Sequence, residues 1–343
     1  MGSAELLTSA QWVNLVTSLF RKETLMRRFI SLFCVCLITL LSHSANAKFP
    51  VTVKDDRNKL VTINSAPNKV AAVSVFGADL LNALGMQAAG ISTLNHQLSP
   101  YLGDQTKHMV DLGEIHETNL EVLTALKPDL TIGLRTYTEP FETKFEEIGP
   151  FLAFDLVTKS DSDRAIISTA KALGKSTEGT ELNHAFNAQL KHYASKPLKA
   201  QSVVFLWHWS DVPYAFFDHH FTVEMMTALN AKNSVGASPQ PNLKKFDSAP
   251  ISMESLLELN PDVIISFKGE PGPFKSHPVW QQLKAVKNGR AFRVADHYVM
   301  PHGPIARNLI LKELAHLFHP DKFARPNSLV KEARATQMQF SHL

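Results

Sequence analysis

Apolar and polar positions alternate in a regular order along most of the chain. Residues 49–64, "FPVTVKDDRNKLVTIN", alternate between the two on either side of a turn at Asp55 to Asn58, which predicts a β-hairpin. The next stretch, "KVAAVSVFGADLLNALG", gives a buried strand from Val70 to Val75, a turn at Phe76-Gly77 and a helix closed by Gly85. "AAGIST", "NLEVLTALKPDLTIGL" and "FLAFDL" extend the order to strand, helix, strand, helix, strand, helix, strand. Such alternation implies a mainly parallel sheet covered on both faces. Residues 161–195 hold no strand signal and no proline and read as helix broken near Gly174. A second series follows: a strand at Ser202 to Leu206, a helix at Val223 to Leu229, another helix and strand, and a terminal helix from Ile305 to Phe318. Beyond Pro326 the tail reads as helical and polar.

One unit occurs twice. "NLEVLTALKPDLTIGL" (119–134) and "SMESLLELNPDVIISF" (252–267) align without a gap, pairing Glu121 with Glu254, Leu123 with Leu256, Pro128 with Pro261 and Asp129 with Asp262. Each starts at an N-cap residue, Asn119 or Ser252, and passes from helical spacing through a proline into a buried strand. Two copies so far apart do not make a solenoid. The pattern predicts an α/β protein of two lobes, each with a mainly parallel sheet flanked by helices, joined by a long backbone helix. The expected boundaries are 1–47 for a leader, 48–160 for the first lobe, 161–197 for the connector, 198–325 for the second lobe and 326–343 for the tail.

Composition adds the leader. From Met26, "MRRFISLFCVCLITLLSHSANA" has the paired arginines, apolar core and Ala-Asn-Ala ending of a secretory signal peptide, with cleavage expected after Ala47; residues 1–25 are either an extension ahead of a start at Met26 or part of a long leader. The apolar run Phe29 to Leu41 is shorter than the ~20 residues of a spanning helix. Both cysteines, Cys34 and Cys36, fall inside it, so no disulfide is expected in the exported chain. Removing the leader takes four of 35 basic and two of 32 acidic residues and leaves a nearly neutral protein. No basic stripe suggests nucleic acid. No glycine-rich phosphate loop, nucleophile elbow or zinc-protease helix suggests an enzyme, which leaves a secreted metal-dependent enzyme as the alternative of a different class.

The signal peptide, the strand-turn-helix opening, the doubled "NLE…PDL" unit, the helical connector and "HPVWQQLKAVKNGRAFRV" together resemble periplasmic binding proteins of the helical-backbone class, over about residues 50 to 320. The resemblance implies a monomer in the periplasm that carries a ferric siderophore, haem or cobalamin to an ABC permease dimer in the inner membrane, without catalysis. It implies no cofactor and no metal site of the protein's own, with iron present only inside a bound chelate. It also implies that Glu121 and Glu254, one per lobe, dock onto arginines of the paired permease subunits; the bland reading is that each only complements its helix dipole.

Ligands of open parallel sheets sit beyond the carboxyl ends of the strands. The expected lining is therefore whatever follows each strand: Phe76, His96, Arg135 and Tyr137 in the first lobe, and Trp207, His208, Trp209, Tyr214, Lys268, His297, Tyr298 and His302 in the second. This aromatic and cationic set suits a bulky anionic aromatic ligand, with Arg135 forking onto an oxygen pair. Ferric catecholates fit best; ferric hydroxamates, citrate-type carboxylates and haem fit less sharply. The runner-up is haem, with His208, His297 or Tyr298 as its ligand, or cobalamin. The competing readings are core packing for the two tryptophans, a salt bridge for Arg135 and structural roles for the histidines. Direct capture of bare metal is disfavoured because no acidic partners stand near His96, His208 or His302.

Overall fold

The computed structural model describes residues 49–208, 212–243, 245–267 and 277–339. The leader, Trp209 and Lys268 therefore lie outside the described residues. The expected hairpin forms from β1 (Val51–Lys54) and β2 (Leu60–Ile63), closed by Asn58 N–H donating to the Asp55 carbonyl at 3.1 Å. Then come β3 (Val70–Val73), α1 (Val75–Ala83), β4 (Gly90–Thr93), β5 (Val110–Glu114), β6 (Glu117–Thr118), α2 (Leu120–Leu126), β7 (Leu130–Leu134), α3 (Arg135–Thr138), α4 (Glu142–Ile148) and β8 (Phe151–Phe154). These strands form one sheet in the order β6-β5-β4-β3-β7-β8, parallel except at the β5–β6 edge. The first strand ends two residues earlier than the pattern suggests, and Phe76 stands in the first turn of α1 rather than in a loop.

Two helices, α5 (Lys159–Ala172) and α6 (Ser176–Ala194), follow, parted at Gly174, whose φ of 74° a side chain would strain. Lobe two continues with β9 (Gln201–His208), β10 (Pro213–Phe216), α7 (Phe221–Ala228), β11 (Ala231–Asn233), β12 (Ser248–Pro250), α8 (Met253–Leu259), β13 (Val263–Phe267), α9 (Lys284–Lys287), β14 (Ala291–Val294), α10 (Pro304–Phe318) and β15 (Thr336–Gln337). Its sheet runs β12-β10-β9-β13-β14-β15, with β11 also on β9. It is mixed rather than mainly parallel: β11, β9, β13 and β14 run together, while β10, β12 and β15 run against their neighbours. Four residues between β9 and β10 are too few for a crossover, so the chain must turn straight back. Among the described residues the tail is mostly non-helical too, with a single 3-10 turn at Lys331–Ala333. Leu329, Ala333 and Ala335 are buried, and β15 adds an antiparallel edge to β14.

The doubled unit has the same geometry in both lobes. Asn119 caps α2 by accepting from Val122 N–H at 3.1 Å, and Ser252 caps α8 by accepting from Ser255 N–H at 3.0 Å. Both helices end on a left-handed residue, Lys127 (φ 50°) and Asn260 (φ 37°). The repeated aspartates then tie the unit to the start of each lobe's first sheet strand. Asp129 accepts from Asn68 and Lys69 N–H at 2.9 and 2.8 Å, and Asp262 accepts from Ser202 N–H at 2.8 Å and its hydroxyl at 3.0 Å. Lys284, also paired with Asp262, helps hold that carboxyl at about 2. Glu121 and Glu254 are exposed in the first turns, while Leu123 and Leu256 face the core.

Candidate functional site

A cavity of about 200 Å³ lies between the lobes, and its walls are built from segments at the carboxyl ends of the sheet strands. Lobe one contributes Ser74, Val75 and Phe76 after β3, Leu94 after β4, Ile115 after β5, Leu134, Thr136 and Tyr137 at the end of β7, and Phe154, Asp155, Leu156 and Val157 at the end of β8. Lobe two contributes Trp207 from β9, Phe216 from β10, Lys245, Asp247, Val299, Met300 and His302. Parallel strands point one way, so their following residues converge on one rim.

Aromatic rings make up much of the wall. Phe76 meets Phe154 edge-on at 6.1 Å, and Trp207 stacks nearly parallel to Phe216, with centroids 6.4 Å apart. Phe216 in turn stacks on Phe205 at 4.5 Å, so the cavity face of Trp207 is backed by a rigid aromatic layer. Three charged groups stand among these rings. Burial pushes Asp247 up to about 6 and raises Asp155, although Arg135 opposes the second shift. Lys245 reaches back across the cleft to Glu139 at 3.5 Å. Burial, and then the Asp247 charge, raise the Tyr137 phenol.

His302 is the polar group with the most telling geometry. It is 4% exposed, and burial depresses it to about 4, so it is neutral near pH 7. Its ring hydrogen-bonds the Val157 backbone, while Nε2 has no protein partner. That nitrogen and the equally unpartnered Ser74 hydroxyl, also on the wall, are available to a ligand.

Of the expected lining residues, the structure brings Phe76, Tyr137, Trp207 and His302 together on the cavity. Arg135 is not on the wall. Its Nη1 donates to the Asp56 carbonyl at 2.7 Å and its Nε stands 3.3 Å from Asp155, the salt-bridge arrangement that competed with ligand binding. His96 projects into solvent, its side chain 91% exposed, on two left-handed residues, Asn95 and His96, whose N–H groups donate to Glu114. His208 packs 6.3 Å from Trp280, is depressed to about 4 by burial and does not line the cavity. Tyr214 lies beside Trp207 on the neighbouring strand, away from the cavity. His297 and Tyr298 are fully buried against each other, and the Tyr298 hydroxyl donates to Glu313 at 2.9 Å. Tyr298 therefore has its oxygen committed to the core of lobe two.

Sequence reasoning missed Asp155, Lys245 and Asp247. Asp155 was legible, because the rule that found Arg135 applies equally to the residue after "FLAF". Lys245 and Asp247 carry no such signal, since they sit in an irregular loop before β12. Among the described residues no group of three His, Cys, Asp or Glu side chains converges to hold a metal ion. The charges on the wall are thus one lysine and two aspartates, less cationic than the sequence suggested.

Comparisons with known proteins agree with this geometry. Residues 70–298 match the family model described as "Periplasmic binding protein". The putative ABC transporter substrate-binding lipoprotein YhfQ of Bacillus subtilis is 26% identical over 293 residues, which cover 80% of this chain and 90% of that protein. The Fe(3+)-citrate-binding protein YfmC of the same organism is 24% identical, over 73% of this chain and 80% of its own. The fold is similar to that of the triscatecholate siderophore binding protein FeuA from Bacillus subtilis complexed with ferri-bacillibactin, with a TM-score of 0.64 at 18% identity, covering 78% of this chain and 98% of that one.

Proposed function

Since the chain belongs to the periplasmic binding protein family, we propose that it captures a ferric siderophore in the cavity between its lobes and delivers it to an ABC permease in the inner membrane. It is an extracytoplasmic substrate-binding protein of the ABC transporter class, and the family serves transport without catalysis. The observation that carries the proposal is the aromatic wall at the carboxyl ends of both sheets, with Trp207 stacked on Phe216 and facing Phe76 and Tyr137. Rings of that kind stack on catechol or other planar chelating groups. One lysine against two carboxylates favours a chelate that also carries hydrogen-bond donors or a positive group over a strongly anionic one. At about 200 Å³ the cavity is smaller than the roughly 300–1,000 Å³ usual for small-molecule sites, so a siderophore needs the lobes to part or leaves part of itself in the mouth.

Haem is the second reading, favoured by the neutral, unpartnered Nε2 of His302 beside Met300. Relatives in the family include siderophore and haem binders. The periplasmic location after cleavage behind Ala47, and docking through Glu121 and Glu254, belong to the same proposal. Titrating tryptophan fluorescence with ferric catecholate, ferric hydroxamate, ferric citrate, haemin and cobalamin tests it. Saturable quenching by at least one ferric chelate is expected. A tight response to haemin or cobalamin, with none to any ferric chelate, would overturn it.

A further inference from the structure

We propose that Asp79 is a positioning residue that clasps the two lobes along one seam of the cavity, so that any opening takes place away from that seam. α10 is a helix without a cap of its own. It begins after Gly303, which has no side chain to offer, and with Pro304, which has no N–H. Its remaining first-turn donors, the N–H groups of Ile305 and Ala306, would be buried orphans. Asp79, on α1 of the other lobe, satisfies both: Oδ1 accepts from Ile305 N–H and Oδ2 from Ala306 N–H, each at 2.8 Å. Oδ2 also accepts from the Tyr101 hydroxyl at 2.7 Å.

The carboxylate is fully buried, and the backbone of Gly303 lies so close to it that no Cβ fits at position 303. An N-cap that helices ordinarily supply from the residue just before them is here supplied across the interlobe seam. Tyr101 extends the contact, its ring 5.2 Å from that of His297 in lobe two.

The position of the clasp gives it a functional meaning. Asp79 lies one turn beyond Phe76 on α1, and Gly303 directly follows His302; Phe76 and His302 are both cavity walls. Asp79 therefore fixes the separation of these two walls. An interlobe ion pair beside the cavity, Glu139 with Lys245 at 3.5 Å, joins side chains 55% and 44% exposed. An exposed pair at that distance contributes little, whereas pulling Asp79 away strands the Ile305 and Ala306 N–H groups in a dry seam. When the lobes move, the exposed pair yields and the clasp acts as pivot.

The test needs no ligand, so it stands apart from the identity of the siderophore. In full-length protein carrying Cys34→Ser and Cys36→Ser, nitroxides placed at Val110→Cys and Lys232→Cys report the interlobe distance by pulsed electron spin resonance. The parent should give one narrow distance and Asp79→Gly a broad one. Adding Gly303→Asp to Asp79→Gly returns a carboxylate to the same helix end from the helix's own N-cap position. That double variant should regain thermal stability without regaining the narrow distance. A narrow distance in Asp79→Gly, or its return together with stability in the double variant, would show that Asp79 only caps a helix and would sink the proposal. If Asp79→Gly alone does not fold, the double variant decides the question by itself.

Discussion

Arg307 has no exposed surface, yet it carries a full charge, and its replacement by leucine is the most informative single perturbation of the scaffold behind the cavity. From α10 its guanidinium donates to Asp163 Oδ1 at 2.9 Å, the Ser162 hydroxyl at 3.3 Å, the Leu182 carbonyl at 3.0 Å and Asn183 Oδ1 at 2.9 Å, and it lies 4.4 Å over the Phe186 ring. It thereby fastens α10 to both connector helices, α5 and α6. Breaking a buried ion pair from one side costs about 3 to 5 kcal/mol. Two features place Arg307→Leu near the lower limit: Asp163 is 23% exposed, and it keeps Lys159 as a partner at 2.5 Å. The leucine also fills part of the volume, and burying it removes the cost of a desolvated cation. We expect a loss of about 3 kcal/mol, which at an unfolding entropy of about 2.1 cal/mol/K per residue lowers the melting midpoint of a unit of this size by roughly 5 °C. Arg307→Lys should recover little, because an ammonium reaches one or two of the acceptors and lacks the planar fork. Thermal melts followed by circular dichroism, with the chemical-denaturation midpoint as a check, measure both variants. A shift under about 2 °C for the leucine variant would mean that the buried guanidinium contributes almost nothing net, which happens where desolvation cancels the pairing.

Charge reversal at the two exposed repeat positions, Glu121→Lys with Glu254→Lys, should leave ligand affinity intact while abolishing stimulation of transporter ATP hydrolysis and uptake in reconstituted vesicles; normal uptake would place the docking surface elsewhere. Trp207→Ala should weaken ring-bearing ligands by about 0.5 to 1.5 kcal/mol beyond the loss of contact area, read as a change in dissociation constant, and an unchanged constant would return Trp207 to the core. Burial depresses His297 to about 3, while the unfolded chain titrates near its ordinary value of about 6.5. Its contribution to stability is therefore complete above that value and is lost as the pH falls through about 3, amounting to about 2 kcal/mol by pH 5. His297→Phe removes this acid limb and, because both ring nitrogens lack partners, should cost little at pH 7; an unaltered slope between pH 6.5 and 4 would refute it. Asp79, raised to about 6, titrates in the opposite sense over part of that range, so the comparison must be between the variant and its parent.

The parts of this molecule that were legible in the sequence are those whose cause is local. The doubled unit could be read because caps, helical spacing, a proline and a buried run fall within sixteen residues, and each copy folds the same way in its own lobe. The pairing of Arg135 with Asp155 was half legible. β7 and β8 are parallel with Leu134 opposite Phe154, so the next residue of each strand must stand side by side, but that register is a property of the sheet rather than of either segment. Lys245 and Asp247 were not legible, because their place on the wall depends on how an irregular loop is carried over the cleft by the rest of lobe two. His297 and Tyr298 misled for the opposite reason: they follow a strand as binding residues do, but a helical turn folds them into the interior. The tail misled because Leu329 and Ala333 keep a helical spacing, while the residues after them find a free strand edge.

That edge has a consequence in time. The sheet of lobe one is drawn from one uninterrupted stretch of chain, residues 70–154, so it can complete itself as soon as those residues are available. Lobe two differs, because β14 has its outer side covered only by β15, and Glu313 receives the Ala335 N–H at 2.9 Å only once the tail has come round. A chain emerging from its N-terminus would hold β14 open to foreign strands until Thr336 and Gln337 appear. Sealing of the second sheet thus waits for a segment about forty residues after the strand it protects, and a product broken off before Thr336 would carry its vulnerability to aggregation permanently.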